Sequence, residues 1–239
     1  MRTTAIVVAA GRGVRFKSKE KKPFAKLLRK PVLSYALTTF QRFPLIDDII
    51  LVVDRPLIKK AERLVKNYRI NKVSYVVAGG KVRSESVRNG LRRVKENASL
   101  VLIHDGVRPL INDELIKKLI AAARKYGAAI SAVPVKPTIK LSKDGSFIAS
   151  TPDRRYLWEA QTPQVFKKDI IENAYKRIAP HPLNFRSREG WQRGAGFTDD
   201  AALAELAGAR VRIVKGDYRN IKITTIEDLK IAEALIKSV

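Results

Sequence analysis

The sequence predicts an α/β fold: a mostly parallel, twisted sheet with helices on both faces and a β-hairpin arm protruding from it. Three observations carry this expectation. Short runs rich in β-branched apolar residues alternate with amphipathic helical stretches along most of the chain. The runs are apolar on both faces, as strands are when helices cover both sides of their sheet. The alternation then fails between Val135 and Tyr156, where two short strand-like pieces flank an Asp144-Gly145 turn.

Taken in order, strands are expected at Ala5–Ala9, Asp48–Val53, Val73–Val77, Leu100–His104, Ala129–Val133 and Val211–Val214. Helices are expected at Val32–Arg42, Leu57–Tyr68, Arg83–Lys95, Asp113–Tyr126, Asp199–Leu206 and Ile226–Lys237. Asn112-Asp113 reads as an N-cap, because a short side-chain oxygen can accept the free amide protons of a first turn. Gly127 ends the same helix, where the chain needs a left-handed residue. The segment 135–156 has no place in the main layer, so it either folds over a site or reaches another subunit. A second irregular stretch, 180–196, is rich in Arg, Gly, Pro and Asn and reads as a loop. No internal repeat is present, and residues 1–239 read as a single domain carrying 135–156 as an arm.

The 239 residues are 45% hydrophobic, enough for a sizeable core. No run of eighteen apolar residues suggests a membrane span. Met1-Arg2 leads directly into a strand, without the apolar core of a signal peptide, so a cytoplasmic protein is expected. With no cysteine, disulfides, thiolate metal sites and cysteine nucleophiles are excluded. Lys and Arg number 48 against 23 Asp and Glu, a net charge of +25. That surplus fits a polyanionic partner, either nucleotide or nucleic acid, but the basic residues are dispersed, which favours a solvated surface bias. Recognised nucleic-acid-binding patterns are missing, which places the nucleic-acid reading behind the nucleotide one.

The first strand runs directly into Ala9-Ala10-Gly11-Arg12-Gly13-Val14-Arg15. Glycines at such a turn let backbone amides approach an anion. Phe16 stands where a dinucleotide site would want a third glycine, and Pro31–Leu37 lacks the acidic residue that site also needs. The Gly-Lys-Ser/Thr ending of a P-loop is absent too. Arg15 and Lys22, beside the turn and ahead of Pro23, suit a triphosphate whose α-phosphate gathers charge as its bond to pyrophosphate breaks.

Further motifs follow in order. They are Lys22-Pro23 and Pro31-Val32-Leu33; Gly79-Gly80-x-x-Arg83-x-x-Ser86-Val87-x-x-Gly90-Leu91; and His104-Asp105-Gly106-x-Arg108-Pro109. Then come Thr138-Ile139-Lys140; Leu157-Trp158-x-Ala160-Gln161-Thr162-Pro163-Gln164; Thr198-Asp199-Asp200-Ala201; and Asn220-Ile221-Lys222-Ile223-Thr224. Across essentially the whole chain this series closely resembles the 2-C-methyl-D-erythritol 4-phosphate cytidylyltransferase family of the non-mevalonate isoprenoid pathway. The resemblance implies a Rossmann-like fold of the nucleotide-diphospho-sugar transferase kind and transfer of a cytidylyl group from CTP to a polyol phosphate.

The resemblance also implies roles for individual residues. The turn Ala9, Ala10, Gly11 and Gly13 would wrap the CTP triphosphate, while Arg15 and Lys22 stabilise the transition state. Gly79, Gly80 and Ser86 match the positions that hold cytosine and ribose. Asp105 matches the carboxylate that holds Mg²⁺ beside the phosphates, and His104 reads as a packed neighbour. Arg108, Thr198 and Lys222 would grip the polyol phosphate, joined by Thr138 and Arg154 from an arm that crosses to the neighbouring subunit of a homodimer. Asp153 and Asp199 match further polar positions. Lys81 and Pro23 depart from the family pattern, and the stretch before Thr198 is longer than expected. A ribitol 5-phosphate cytidylyltransferase shares most of these motifs and is the alternative enzyme; a nucleotide-binding member without activity is opposed by the intact Arg15, Lys22, Asp105 and Lys222.

Overall fold

The computed structural model describes residues 1–11, 13, 16, 20–177, 197 and 199–238. Strand β1 (Arg2–Ala9) is followed by a two-residue ribbon, β2 (Lys26–Leu27) and β3 (Lys30–Pro31), and by helix α1 (Val32–Arg42). Then come β4 (Asp48–Val53), α2 (Ile58–Asn67), β5 (Val73–Ala78), α3 (Arg83–Leu91), β6 (Ala98–Asp105), α4 (Asp113–Tyr126) and β7 (Ala128–Pro134). The chain closes with β8 (Trp158–Lys167), α5 (Lys168–Arg177), α6 (Asp200–Leu206), β9 (Arg212–Lys215) and α7 (Ile226–Lys237).

The main sheet has the order β5-β4-β1-β6-β8-β7-β9. Its strands pair in parallel except at β8, which is antiparallel to both β6 and β7. The expectation of a mostly parallel sheet therefore holds, with one strand reversed. Period-two alternation along β1 divides its side chains between two layers. Ala5, Val7 and Ala9 pack with Leu33, Leu37 and Phe40 of α1 and with Leu115, Ile116 and Leu119 of α4. Ile6 and Val8 pack with Val87 of α3, Ile171 and Ala174 of α5, and Leu203 of α6. Both faces are thus covered, and each fully buried Ile or Leu contributes roughly 1.5–3 kcal/mol relative to exposure.

Local signals explain most boundaries. Asn112 accepts the Leu115 amide at 2.9 Å and Gly127 closes α4 at φ 90°, so both expected caps are present. Asp199 caps α6 by accepting the Ala202 amide at 3.1 Å, which moves the helix start to Asp200. Helix α3 stops at Leu91 rather than at the expected Lys95. There Arg93 and Val94 donate to the carbonyls of Gly90 and Leu91, tightening the chain into turns before it enters β6.

Two expectations need correction. Strand β8 and helix α5 had no counterpart in the sequence reading. Strand β8 carries Gln161, Thr162, Pro163 and Gln164, with the Thr162–Pro163 peptide cis and an irregular register opposite Ile130–Ala132. Proline and polar residues argue against a central strand. Here the polar side chains are buried and occupied by partners instead. The arm was expected to be a hairpin of two short strands. Its residues connect the antiparallel neighbours β7 and β8, but only Leu141 and Ser150 form a bridge. Its tip is organised by the Asp144 carboxylate, which accepts the Ser146 and Phe147 amides at 2.9 and 3.0 Å. Residues 137–151 are exposed throughout, and a two-stranded ribbon that buries no face gains little from a longer ladder. The expected loop at 180–196 lies outside the described residues.

Candidate functional site

Sheet order places a crevice between β1 and β6. From β1 the chain winds outward through β4 to β5, then returns to β6 on the other side of β1, so the connections diverge at this point. In open α/β sheets ligands bind at such a switch, beyond the C-terminal strand ends. Residues 9–11 leave β1 there, and Asp105, level with Val8, ends β6 beside them.

Two clefts meet at this turn. A larger one of about 780 Å³ is lined by Ala10, Gly11, Lys21, Arg55, Gly79, Gly80 and Arg83, among others. A smaller one of about 200 Å³ is lined by Ala9, Ala10, Gly11, Lys22, Pro23, Arg83, Asp105 and Lys222, with Val8 and Val107. The glycine turns are pressed together: a Cβ on Gly79 would stand 2.2 Å from the Cβ of Ala10. Gly13 adopts φ 64°, and a Cβ there would lie 3.5 Å from Cε of Lys22. A larger residue at either position would push the walls apart or strain the turn.

Asp105 is the electrostatic centre. Lys222 Nζ lies 2.7 Å from its Oδ2, Arg83 Nε 3.3 Å from its Oδ1, and Arg108 Nε 3.8 Å from its Oδ2. Burial alone would raise the Asp105 carboxyl, but the charges of Arg83, Lys222 and Arg108 outweigh it and hold the group below the usual carboxylate range. Arg108 donates to the Asn220 carbonyl at 2.7 Å, which ties the loop carrying Lys222 to the end of β6. Asn220 in turn donates to the Thr162 carbonyl at 2.8 Å. His104 is fully buried, bonded to the Arg108 carbonyl and the Thr162 hydroxyl at 3.1 Å each, and packed edge-on against Phe40. Burial lowers its pKa to about 4, so it is neutral near pH 7. It is a packed neighbour, as expected, and its bonds also tie β6 to Thr162.

The structure gathers Ala9, Ala10, Gly11, Lys22, Gly79, Gly80, Asp105 and Lys222 around these clefts. Ser86 stands behind them: fully buried, its hydroxyl accepts the Gly80 amide at 3.0 Å and donates to the Val82 carbonyl at 3.2 Å, so it shapes the glycine turn. Arg108, expected to grip substrate, is buried and lines neither cleft. Thr138 and Arg154 sit on the exposed arm and line neither cleft; Arg154 donates to the Lys136 carbonyl at 2.8 Å. Asp153, also on the arm, pairs with Arg155 at 2.6 Å. Arg15 and Thr198 lie outside the described residues.

Sequence reasoning missed Arg83. It starts α3, lines both clefts, and lies between Asp105 and the fully buried Asp200, whose Oδ2 is 2.8 Å from Arg83 Nη1. Burial would lower the Arg83 pKa, but Asp200 and Asp105 raise it above the ordinary value. The residue stood within the Gly79–Gly90 motif, yet no local spacing names its partners.

Among the described residues, no three His, Cys, Asp or Glu side chains gather to hold a metal on their own. Asp105 is the carboxylate lining the smaller cleft. That donor set fits a hard divalent cation taking its other ligands from phosphate oxygens and water. No helix among the described residues is long and apolar enough to cross a membrane.

A glycine-lined crevice at a sheet switch point, with lysines and the Asp105 carboxylate beside the first turn, defines an α/β protein built to receive nucleotide phosphates. Residues 3–238 match the family model IspD, 2-C-methyl-D-erythritol 4-phosphate cytidylyltransferase, and the chain belongs to that family. It is 41% identical to the 2-C-methyl-D-erythritol 4-phosphate cytidylyltransferase of Alkaliphilus oremlandii over 240 residues, covering 99% of this chain and 96% of that one. It is likewise 41% identical to the enzyme of that name from Caldanaerobacter subterraneus, covering 99% and 100%. Among solved structures it resembles the 4-diphosphocytidyl-2C-methyl-D-erythritol synthase of Anaerococcus prevotii, with a TM-score of 0.82, 34% identity, and coverage of 99% and 96%.

Proposed function

We propose that this protein transfers the cytidylyl group of CTP to 2-C-methyl-D-erythritol 4-phosphate, forming 4-diphosphocytidyl-2-C-methyl-D-erythritol and pyrophosphate. The observation that carries the reading is the meeting of the two clefts at Ala10 and Gly11. A nucleoside in the larger cleft would direct its phosphates over the glycine turn towards Lys22, Asp105 and Lys222. An oxygen of the polyol phosphate attacks the α-phosphorus in line, and the bond to the β-phosphate breaks as pyrophosphate leaves. A phosphate dianion is already nucleophilic, so no general base is needed; positioning and charge stabilisation supply the catalysis. Lys22 and Arg15 steady the reacting phosphorus, while Thr198 and Lys222 hold the attacking phosphate and Arg108, through the Asn220 carbonyl, positions the loop that carries Lys222. Asp105 would hold Mg²⁺ together with the nucleotide phosphates, where the ion supplies charge neutralisation.

Thr138 and Arg154 act, in this reading, from the arm of a second copy. Two features support a homodimer through the arm. Both residues stand away from their own clefts, and the arm displays exposed Leu141, Phe147, Ile148 and Tyr156. Exposed apolar groups of this kind, gathered on one projection, suit burial by a partner. A cytoplasmic location, where CTP is available, belongs to the same reading.

The test is pyrophosphate release with CTP, ATP or UTP, each offered methylerythritol phosphate or ribitol 5-phosphate. Release with CTP and methylerythritol phosphate alone is expected. Preference for ribitol 5-phosphate would select the alternative polyol, and silence with every pair would overturn the reading.

A further inference from the structure

Asp200 cannot touch a ligand in either cleft, because it is fully buried as the first residue of α6. Its position is nevertheless tightly defined. Gln164 Oε1 accepts the Asp200 amide at 3.1 Å, and the Tyr175 hydroxyl donates to Oδ1 at 2.6 Å. The other oxygen, Oδ2, faces Arg83 Nη1 at 2.8 Å, closer than Arg83 comes to Asp105. Among the described residues no hydrogen-bond donor is aligned on Asp200 Oδ2, so its contact with Arg83 Nη1 acts chiefly through charge. Three cations already surround Asp105. Were Arg83 not balanced from behind, its whole charge would fall on that one carboxylate.

We propose that Asp200 is the counter-charge of Arg83, and that the pair is a positioning device that leaves Asp105 free enough to share a divalent cation with a nucleotide. Arg83 approaches the Asp105 carboxylate from the start of α3, while the closer Lys222 holds that carboxylate in place, and Asp200 limits how strongly Arg83 competes with the cation. Opposite charges so close and so poorly solvated interact strongly. Removing one of them while keeping the other therefore shifts the load to the next partner, here Asp105. This inference rests on the cytidylyl-transfer reading for the identity of the nucleotide.

The test is calorimetric titration with CTP, without the polyol phosphate, in Mg²⁺ and separately in EDTA. The quantity read is the tightening that Mg²⁺ brings, and folding is checked by circular dichroism. In Asp200→Asn that tightening should shrink at least threefold, with EDTA affinity within twofold of wild type. Asp200→Glu, which keeps the charge, should recover it. In the double variant Arg83→Met/Asp200→Asn both charges are gone, so the tightening should return to the wild-type value or above. Paired removal of buried charges is usually tolerated, so the double variant decides the matter if the single one does not fold. A folded Asp200→Asn with wild-type tightening would overturn the proposal, as would a double variant that falls short of wild type or a wild type indifferent to Mg²⁺. Turnover of the wild type with CTP and methylerythritol phosphate judges the underlying reading separately.

Discussion

The floor of the switch-point crevice and the arm are both rich in charge, yet they are built in opposite ways. At the crevice, Asp105, Arg83, Arg108, Lys222, Asp200 and Asn220 come from distant parts of the chain and are locked by contacts across β6, α3, α6 and the loop before α7. In the arm, the bonds of Asp144 and Asp153 run to residues two or three positions away, and every partner is exposed. Exposed local pairs add little to stability. One region is specified by the whole fold; the other is held by local bonds and leaves its side chains exposed. The difference teaches that one chain can fix a crevice through contacts distant in sequence while leaving its arm exposed, as the proposed pairing with a second copy requires.

The largest expected effect sharpens the crevice side of that comparison. Lys22→Ala should lower turnover by roughly 10²–10³, with the melting temperature nearly unchanged, as steady-state kinetics and calorimetry would show. Near-normal turnover would remove Lys22 from the chemistry.

A second prediction concerns the buried network. The folded-state pKa of His104 is about 4, against an ordinary 6.5. The unfolded chain therefore takes up a proton between those values that the folded protein refuses. The stability this group contributes is complete above pH 6.5 and is lost as pH falls towards 4, by about 3 kcal/mol. Urea unfolding at pH 7 and at pH 4.5 measures the drop, which His104→Asn should flatten. An equal drop in the variant would shift the cause elsewhere.

The arm yields smaller effects. Arg154→Ala should reduce kcat/KM about tenfold through lost phosphate binding, visible mainly as a raised KM for the polyol phosphate. Mixing it with Lys22→Ala protein under conditions of subunit exchange should restore roughly a quarter of wild-type activity. Half of randomly mixed dimers pair the two variants, and each of these holds one intact site if sites are shared across the interface. No recovery would mean that each arm serves its own chain. Smallest of all, Phe147→Ser should change monomer stability by less than about 0.5 kcal/mol, because the ring is exposed. The same variant should weaken dimerisation in sedimentation experiments.

Much of this architecture was legible in the sequence. Helix α4 announced itself through apolar spacing, Asn112 and Gly127, and α1 and β4 were bounded as expected because their patterns end at clear breaks. Strand β8 was not legible, since its buried Gln161, Thr162 and Gln164 serve as hydrogen-bond partners for Ser131, His104, Asp199 and Asp200, which a pattern of polar residues around Pro163 conceals. At the site, glycines and cations near one turn could be read locally. The bridge from Arg83 to Asp200 could not, because it depends on α3 and α6 meeting against the same face of the sheet. Ser86 shows the converse: its motif position was clear, but its hydroxyl turned out to hold the Gly79-Gly80 turn from behind.

The central claim is that nucleotide phosphates lie over the first turn, between Lys22 and Asp105. A crystal structure with CTP and Mg²⁺ tests it most directly. The α-phosphate should sit within hydrogen-bonding reach of the Gly11 backbone and Lys22, with the cytosine in the cleft beside Gly79 and Gly80. A nucleotide bound elsewhere, leaving Gly11, Lys22 and Asp105 without contact to it, would contradict the account.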